Sequence, residues 1–270
     1  MKRVERACVI TQILTENPNK DFSLGYFAEK FDCAKSSVSE DLKVVRAAME
    51  SSGLGYVETT SGSKGGVRYV PYISKESSRA SLENLKAALE EKNRDVGGGY
   101  IYTTDLMFDP SVCEAAAMQF ARRFAAAEAD LVVTVETKGI GVAMMTARLL
   151  NVPLVVLRRE TKVSEGSTIS INYYSGSSDR VQKMSLSKRA IAAGSKAIII
   201  DDFMRQGGTL KGIEDMLSEF DAKAVGFGSV IVASSKKEKT LNKKISDFFA
   251  LITLTETENG YDVEINPEII

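Results

Sequence analysis

Ile198-Ile199-Ile200-Asp201-Asp202-Phe203-Met204-Arg205-Gln206-Gly207-Gly208-Thr209 constrains this chain more than any other stretch. Three β-branched apolar residues run into two adjacent carboxylates, then into a Gly-Gly-Thr turn that opens a helical pattern. A short apolar run bounded by turn residues reads as a buried strand of a parallel sheet. The turn then lies at the carboxyl end of that strand, the edge at which open α/β sheets bind ligands. Arg205 to Thr209 present backbone N–H groups and a helix N-terminus suited to a phosphate. Asp201 and Asp202, just behind, are placed to accept hydrogen bonds from sugar hydroxyls. The plain alternative is a buried strand ending in a solvated Asp-Asp turn.

These positions resemble the signature of the phosphoribosyltransferase fold. The resemblance implies phosphoribosyl pyrophosphate (PRPP) as ligand, with the acid pair on the ribose 2′- and 3′-hydroxyls and the following loop around the 5′-phosphate. It does not fix activity, because transferases and regulators share the signature.

A chain of 270 residues is long enough for two domains. With 36 acidic and 35 basic residues, net charge points to no nucleic-acid partner, although a local basic face fits within that balance. The absence of histidine excludes a His-based triad, a His proton shuttle and any His-containing zinc site. Cys8, Cys33 and Cys113 are widely spaced with no C-x-x-C pair, which reads as small buried apolar side chains in a reducing compartment. No metal site is expected. Met1-Lys2-Arg3-Val4-Glu5-Arg6 opens like a signal peptide, but Glu5, Arg6, Thr11 and Gln12 interrupt any apolar segment. No apolar run approaches bilayer-spanning length, so a cytoplasmic location is expected.

Val4, Ala7, Cys8, Ile10, Ile13 and Leu14 recur at helical spacing over residues 3–15, and Asn17-Pro18-Asn19 stops the pattern. Ser23 begins a second helix, and a third starts near Ala34 and runs to about Met49 with Val38, Leu42, Val45 and Met49 on one face. The last two have helix-turn-helix spacing. The third starts with Lys35, Ser36, Ser37 and Ser39, small hydroxyls and a lysine of the kind that let a helix enter the major groove. Tyr56–Thr60 and Val67–Val70 flank a Gly- and Lys-containing turn, which predicts a hairpin with a basic tip. Helix-turn-helix plus hairpin reads as a winged helix, with Arg3, Lys64 and Arg68 added to the expected DNA contacts. The alternatives are a protein-interaction module whose serines merely cap a helix, or a dimerisation device.

Pro71 marks the boundary, giving a winged-helix domain over 1–73 and a linker helix plus effector domain over 74–270. Leu82, Leu85 and Leu89 form one helix face, and Gly97-Gly98-Gly99 leads into the larger domain. From Tyr100 helical and apolar-strand patterns alternate, so the expected fold class is α/β with a mainly parallel sheet. Strands are expected at 131–135, 153–157, 198–200 and 224–232, with helices at 110–127, 142–150 and 209–220. Glu136-Thr137-Lys138-Gly139-Ile140 follows a buried strand and is similar to the diphosphate loop of the same fold. A long polar insertion occupies 159–183, and its Ser164 to Tyr173 stretch alternates polar and apolar residues; it predicts a mobile hairpin, corresponding to the flexible loop that covers the site in that fold. Tyr102 stands near a place where a base or ribose is covered, with a core position equally open.

Nearly the whole chain resembles the purine operon repressors of Gram-positive bacteria, which join a winged helix to a type I phosphoribosyltransferase-like domain. The likeness rests on Ala34-Lys35-Ser36-Ser37-Val38-Ser39-Glu40-Asp41-Leu42, Gly98-Gly99-Tyr100, Thr137-Lys138-Gly139-Ile140, and Glu165 to Tyr173 continuing through Ser175-Gly176-Ser177-Ser178. It implies a homodimer that binds duplex operator DNA of purine-synthesis genes and releases it when PRPP binds, without catalysis. No resident cofactor is implied; PRPP is the effector, with or without Mg²⁺, and the chemistry of the pocket leads to the expectation that phosphorylated nucleotides compete for it. Its effector-binding residues would be Asp201, Asp202, Phe203, Met204, Arg205, Gln206, Gly207, Gly208 and Thr209 with Thr137, Lys138, Gly139, Tyr102 and Arg158. Glu136 and Gly141 depart from that family, where a small apolar residue and a proline are expected. Glu136 resembles the loop of a working transferase, so the alternative is a purine phosphoribosyltransferase with an accessory N-terminal domain.

Overall fold

The computed structural model describes residues 1–60, 66–97, 100–161, 163–175, 180–205, 207–234, 248–257 and 260–269. Two compact units emerge. One comprises Met1–Ser74 with Arg148–Asn151, the other Lys75–Ala147 and Val152–Ile270.

In the first unit, helix α1 (Arg3–Glu16), α2 (Leu24–Phe31) and α3 (Lys35–Ser51) precede strands β1 (Tyr56–Thr59) and β2 (Val67–Val70). Ser23 caps α2 by accepting the Tyr26 N–H, and Asp32 ends it in the left-handed region at φ 49°, a conformation that short polar residues tolerate. Ile10, Leu14, Phe27 and Val38 are fully buried and form one core with Leu42, Val45, Val57 and Val67. Burying each Leu, Ile or Phe side chain contributes roughly 1.5–3 kcal/mol. Cys8, expected inside, is exposed on α1, whereas Cys113 is buried; the α1 stripe faces inward through Ile10 and Leu14 instead.

The second unit begins with α4 (Lys75–Leu89), a two-stranded ribbon of β3 (Asp95–Gly97) and β4 (Tyr100–Ile101), α5 (Thr104–Met107) and α6 (Pro110–Phe124). Then follow β5 (Leu131–Val135), α7 (Ile140–Leu150), β6 (Leu154–Leu157), the hairpin β7 (Thr168–Ser175) and β8 (Arg180–Ser187), β9 (Lys196–Met204), α8 (Gly208–Ser218), β10 (Lys223–Ser234), β11 (Phe248–Thr257) and β12 (Gly260–Ile265). A six-stranded sheet has the order β12-β11-β10-β9-β5-β6, parallel except where β12 pairs with β11. Ile199 joins the cluster that holds Leu210 and Ile213 of α8. Ile200 lies towards Phe120 of α6, as their common approach to Gly228 shows. Cover on both faces explains why the strand is apolar without alternation. Among the described residues no helix is long and apolar enough to cross a membrane.

Candidate functional site

The chain runs from β5 through α7 to β6 on one side, and from β9 through α8 to β10 on the other. The switch in direction falls between β5 and β9, where open sheets form a ligand crevice. Pairing of β5 with β9 stops at Val133–Ile199, whereas β9 stays paired with β10 out to Met204–Val232. The strands part just before Asp201 and Asp202. The resulting cavity of about 460 Å³ is lined by the β5–α7 loop, the β9–α8 segment, the β4 ribbon and the β7–β8 hairpin.

On one wall lie Glu136, Thr137 and Lys138. Gly139 brings this loop against the acid pair: a Cβ there would lie 2.7 Å from Thr134 Oγ1 and 3.3 Å from both Asp201 Oδ1 and the Asp202 backbone nitrogen. The buried Thr134 hydroxyl has no hydrogen-bond partner among the described residues. Glu136 Oε1 accepts the Arg159 backbone N–H at 2.7 Å. On the opposite wall β9 carries Asp201, Asp202 and Phe203, followed by Arg205 and Thr209. Gly207 caps α8 at φ 71°, a left-handed conformation suited to glycine, so the helix N-terminus opens at the end of the acid-bearing strand.

Burial raises the Asp201 carboxyl well above its ordinary range, and the neighbouring Asp202 raises it further. Asp202 is also raised by burial, with its hydrogen bond to Asp201 and then the charge of Lys138 pulling it back. Two adjacent desolvated carboxylates favour a retained proton, and donors from a diol or a cation would offset that cost. The cationic side of the cavity comprises Lys138, Arg159 and Arg205, with the Arg205 guanidinium 5.6 Å from the Tyr100 ring centroid. Tyr173 donates to Gln182 Oε1 at 2.8 Å, and burial raises its phenol. Among the described residues no cluster of three His, Cys, Asp or Glu is arranged to hold a metal ion.

Of the expected effector residues, Thr137, Lys138, Asp201, Asp202, Phe203, Arg205 and Thr209 line one cavity. Gly139, Gly207 and Gly208 shape its loops. Three positions differ or fall outside. Met204 is buried in the core with Leu210 and Ile213, because β9 continues through it instead of turning after Asp202. Tyr102 is exposed and not part of the lining; Tyr100, two residues earlier on β4, stands there with Ile101 and Thr103. Arg158 bridges backbone to Ser185 and pairs through Nε with Glu165 Oε1 at 2.8 Å, so Arg159 lines the cavity in its stead. Gln206, Gly98, Gly99 and the 176–178 tip lie outside the described residues. Glu136, Tyr173 and Gln182 were not expected to line the cavity; the period-two pattern of β7 was the available signal. That pattern anchors the hairpin, since Tyr173, Met184 and Leu186 are buried in the core that includes α8.

In the first unit α2 and α3 are separated by Asp32, Cys33 and Ala34 alone. Ala34 is the N-cap and provides no side-chain bond, so Ser36 and Ser37 lie inside the first turn and do not cap it. Lys35 and Ser36 are exposed, Ser37 and Ser39 half-buried, while Val38 points into the core. Arg46 of α3 holds the hairpin through Val57 O, at 2.8 Å, and Thr59 Oγ1. Arg68 pairs across the hairpin with Glu58 at 2.8 Å, and Arg3 reaches Asp41 Oδ1 at 3.5 Å while staying 58% exposed. An exposed pair such as Arg68–Glu58 contributes about 0–1 kcal/mol. Lys64, with the 61–65 turn, lies outside the described residues.

The second unit, with the Lys138 loop and the α8 N-terminus on either side of a switch point, has the phosphoribosyltransferase fold. Residues 111–264 match the phosphoribosyl transferase domain family. Solved adenine phosphoribosyltransferases of Thermoanaerobacter pseudethanolicus and Rhodothermus marinus superpose with TM-scores of 0.55 each at 19% and 20% identity. They cover 64% and 65% of this chain and 99% of theirs, which speaks to fold alone. Residues 2–71 match the N-terminal domain of the bacterial purine repressor. The purine biosynthesis transcriptional repressor PurR of Bacillus subtilis is 40% identical over 97% of this chain and 92% of its own length. The purine biosynthesis transcriptional activator PurR of Lactococcus lactis subsp. lactis is 40% identical over 90% and 89%. The chain belongs to the bacterial purine repressor family.

Proposed function

We propose that this chain is a cytoplasmic, homodimeric repressor of purine-biosynthesis genes whose affinity for operator DNA is set by PRPP. The observation that carries the proposal is the single cavity joining Asp201, Asp202, Lys138, Arg205 and Thr209, in a chain whose other unit is a helix-turn-helix with a hairpin. Asp201 and Asp202 accept the ribose 2′- and 3′-hydroxyls. The α8 N-terminus and Thr209 take the 5′-phosphate, while Thr137, Lys138 and the backbone at Gly139 take the diphosphate. Two carboxylates do not make a resident divalent-ion site; Mg²⁺ would enter with the diphosphate, whose oxygens complete its coordination. In the other unit α3 enters the major groove through Lys35, Ser36, Ser37 and Ser39, and two-fold symmetry presents two such helices about one DNA turn apart.

PRPP lowers DNA affinity only to the extent that it prefers an arrangement that does not bind DNA. The cavity acts as a sensor, with no transfer of the ribosyl group. One observation favours a second reading: Glu136 stands in the cavity, and the xanthine phosphoribosyltransferase of Exiguobacterium is 32% identical over 47% of this chain and 66% of its own length. Turnover of PRPP with adenine, guanine, hypoxanthine or xanthine would establish that reading. The sensor reading is tested by titrating promoter DNA of purine-synthesis genes with the full chain at fixed salt. Saturating PRPP with Mg²⁺ should weaken binding in the parent. A D201A/D202A variant should bind the same DNA with parental affinity and ignore PRPP. Parental DNA affinity that PRPP leaves unchanged would sink the proposal.

A further inference from the structure

Arg94 lies between α4 and the cavity ribbon, and its charged side chain is only 8% exposed. Nε donates to the carbonyl of Ala88 in the last turn of α4. Nη1 donates to Tyr102 O at 3.2 Å and Asp105 Oδ1 at 2.9 Å, and Nη2 to Asp105 Oδ2 at 3.0 Å. The Tyr102 N–H returns a bond to the Arg94 carbonyl at 2.8 Å. Arg94 also holds the Asp105 carboxyl below its usual range. A buried cation persists only when its donors are matched, and the planar guanidinium fixes its partners in one geometry. One side chain thus joins the end of α4, the segment around Tyr102 and the start of α5 into a single joint.

Both sides of this joint lead somewhere. Tyr100, Ile101 and Thr103, which flank Tyr102, line the cavity, and Tyr100 lies against the Arg205 guanidinium of the phosphate-type loop. On the other side, α4 starts at Lys75, the residue directly after Ser74 of the first unit. We infer that Arg94 is a positioning residue through which occupancy of the cavity is passed to α4, and along it to the DNA-binding unit. A ligand phosphate that draws Arg205 away from Tyr100 shifts the ribbon. The arginine joint makes the end of α4 follow, where an unbraced loop would absorb the change. The inference rests on the sensor reading above.

The test uses the full chain with R94M and D105N substitutions. Three quantities are measured at fixed salt: PRPP affinity alone by calorimetry, duplex affinity alone, and the ratio of duplex affinities without and with PRPP and Mg²⁺. For R94M each separate affinity should stay within about threefold of the parent, a difference under 1 kcal/mol, while the ratio falls towards one. D105N, which removes one anchor and keeps the bonds to Ala88 and Tyr102, should give an intermediate ratio. A parental ratio in R94M, or loss of PRPP binding itself, overturns the inference. If R94M does not fold, D105N decides alone, and a parental ratio in it is equally fatal. A parent that ignores PRPP removes the sensor reading. A responsive parent with equally responsive variants removes only the role of Arg94.

Discussion

Asp201 combines a cost to the fold with a use. Its carboxyl is raised by burial and by Asp202, so the native chain holds a proton at pH values where an unfolded aspartate, ionising near 3.9, has lost it. Between that ordinary value and the raised one the native state binds more protons than the unfolded state. Stability therefore falls as pH rises through this window, and the full penalty applies above it. Asp201→Asn should raise the thermal midpoint at neutral pH, by about 2–4 °C for each kcal/mol relieved, while removing the PRPP response; a lowered midpoint with intact response would contradict both parts. Ligand hydroxyls need ionised acceptors, so PRPP binding should release protons. Its affinity should rise with pH below the raised value, by up to about tenfold per unit for each proton released, as calorimetry in buffers of different ionisation enthalpy reads directly. Gly139→Ala pushes a methyl to 2.7 Å from Thr134 Oγ1. Overpacking of this kind costs about 1–3 kcal/mol, and the diphosphate wall should lose PRPP binding with it.

Helix α3 is held by charge as well as by its apolar stripe. Asp41 is 1% exposed and receives Arg6 Nε at 2.7 Å and Nη2 at 3.2 Å, tying α1 to the helix assigned to DNA. Asp41→Asn keeps an acceptor for Arg6 but removes the charge, so it should lower the urea midpoint of the first unit; an unchanged midpoint would mean that the apolar core alone orients α3. Lys35→Ala should leave the fold intact and reduce the salt dependence of duplex binding by about one unit of slope. The helices themselves were legible, since Ile10, Leu14, Val38, Leu42 and Val45 repeat at helical spacing and Ser23 caps α2. So was the acid-bearing strand, although its carboxylates lie within β9 and not at its turn. The edge of the site was less legible. Which tyrosine meets the cavity depends on the pairing of Gly97 with Tyr100 in a short irregular ribbon, and Arg94 and Asp105 sit in non-periodic sequence that gives no hint of their bond. β11 was not among the expected strands, although Phe249 to Ile252 is a buried apolar run of the kind that marks the other parallel strands.

Ligand control of DNA binding needs two sites in one molecule and one coupling between them. The switch point between β5 and β9 explains why the acid pair, the Lys138 loop and the α8 N-terminus converge, and the order of β12-β11-β10-β9-β5-β6 was the part of that argument that sequence pattern could not supply. Family membership brings the DNA-binding unit into the same chain. Linkage then demands reciprocity: if PRPP weakens DNA binding by some factor, DNA must weaken PRPP binding by the same factor. The most direct test measures both on the full chain at one salt concentration, duplex affinity with and without saturating PRPP and Mg²⁺, and PRPP affinity with and without saturating duplex. Equal losses of about 5–150-fold are expected, corresponding to about 1–3 kcal/mol of coupling. Duplex affinity that stays the same at saturating PRPP would contradict it.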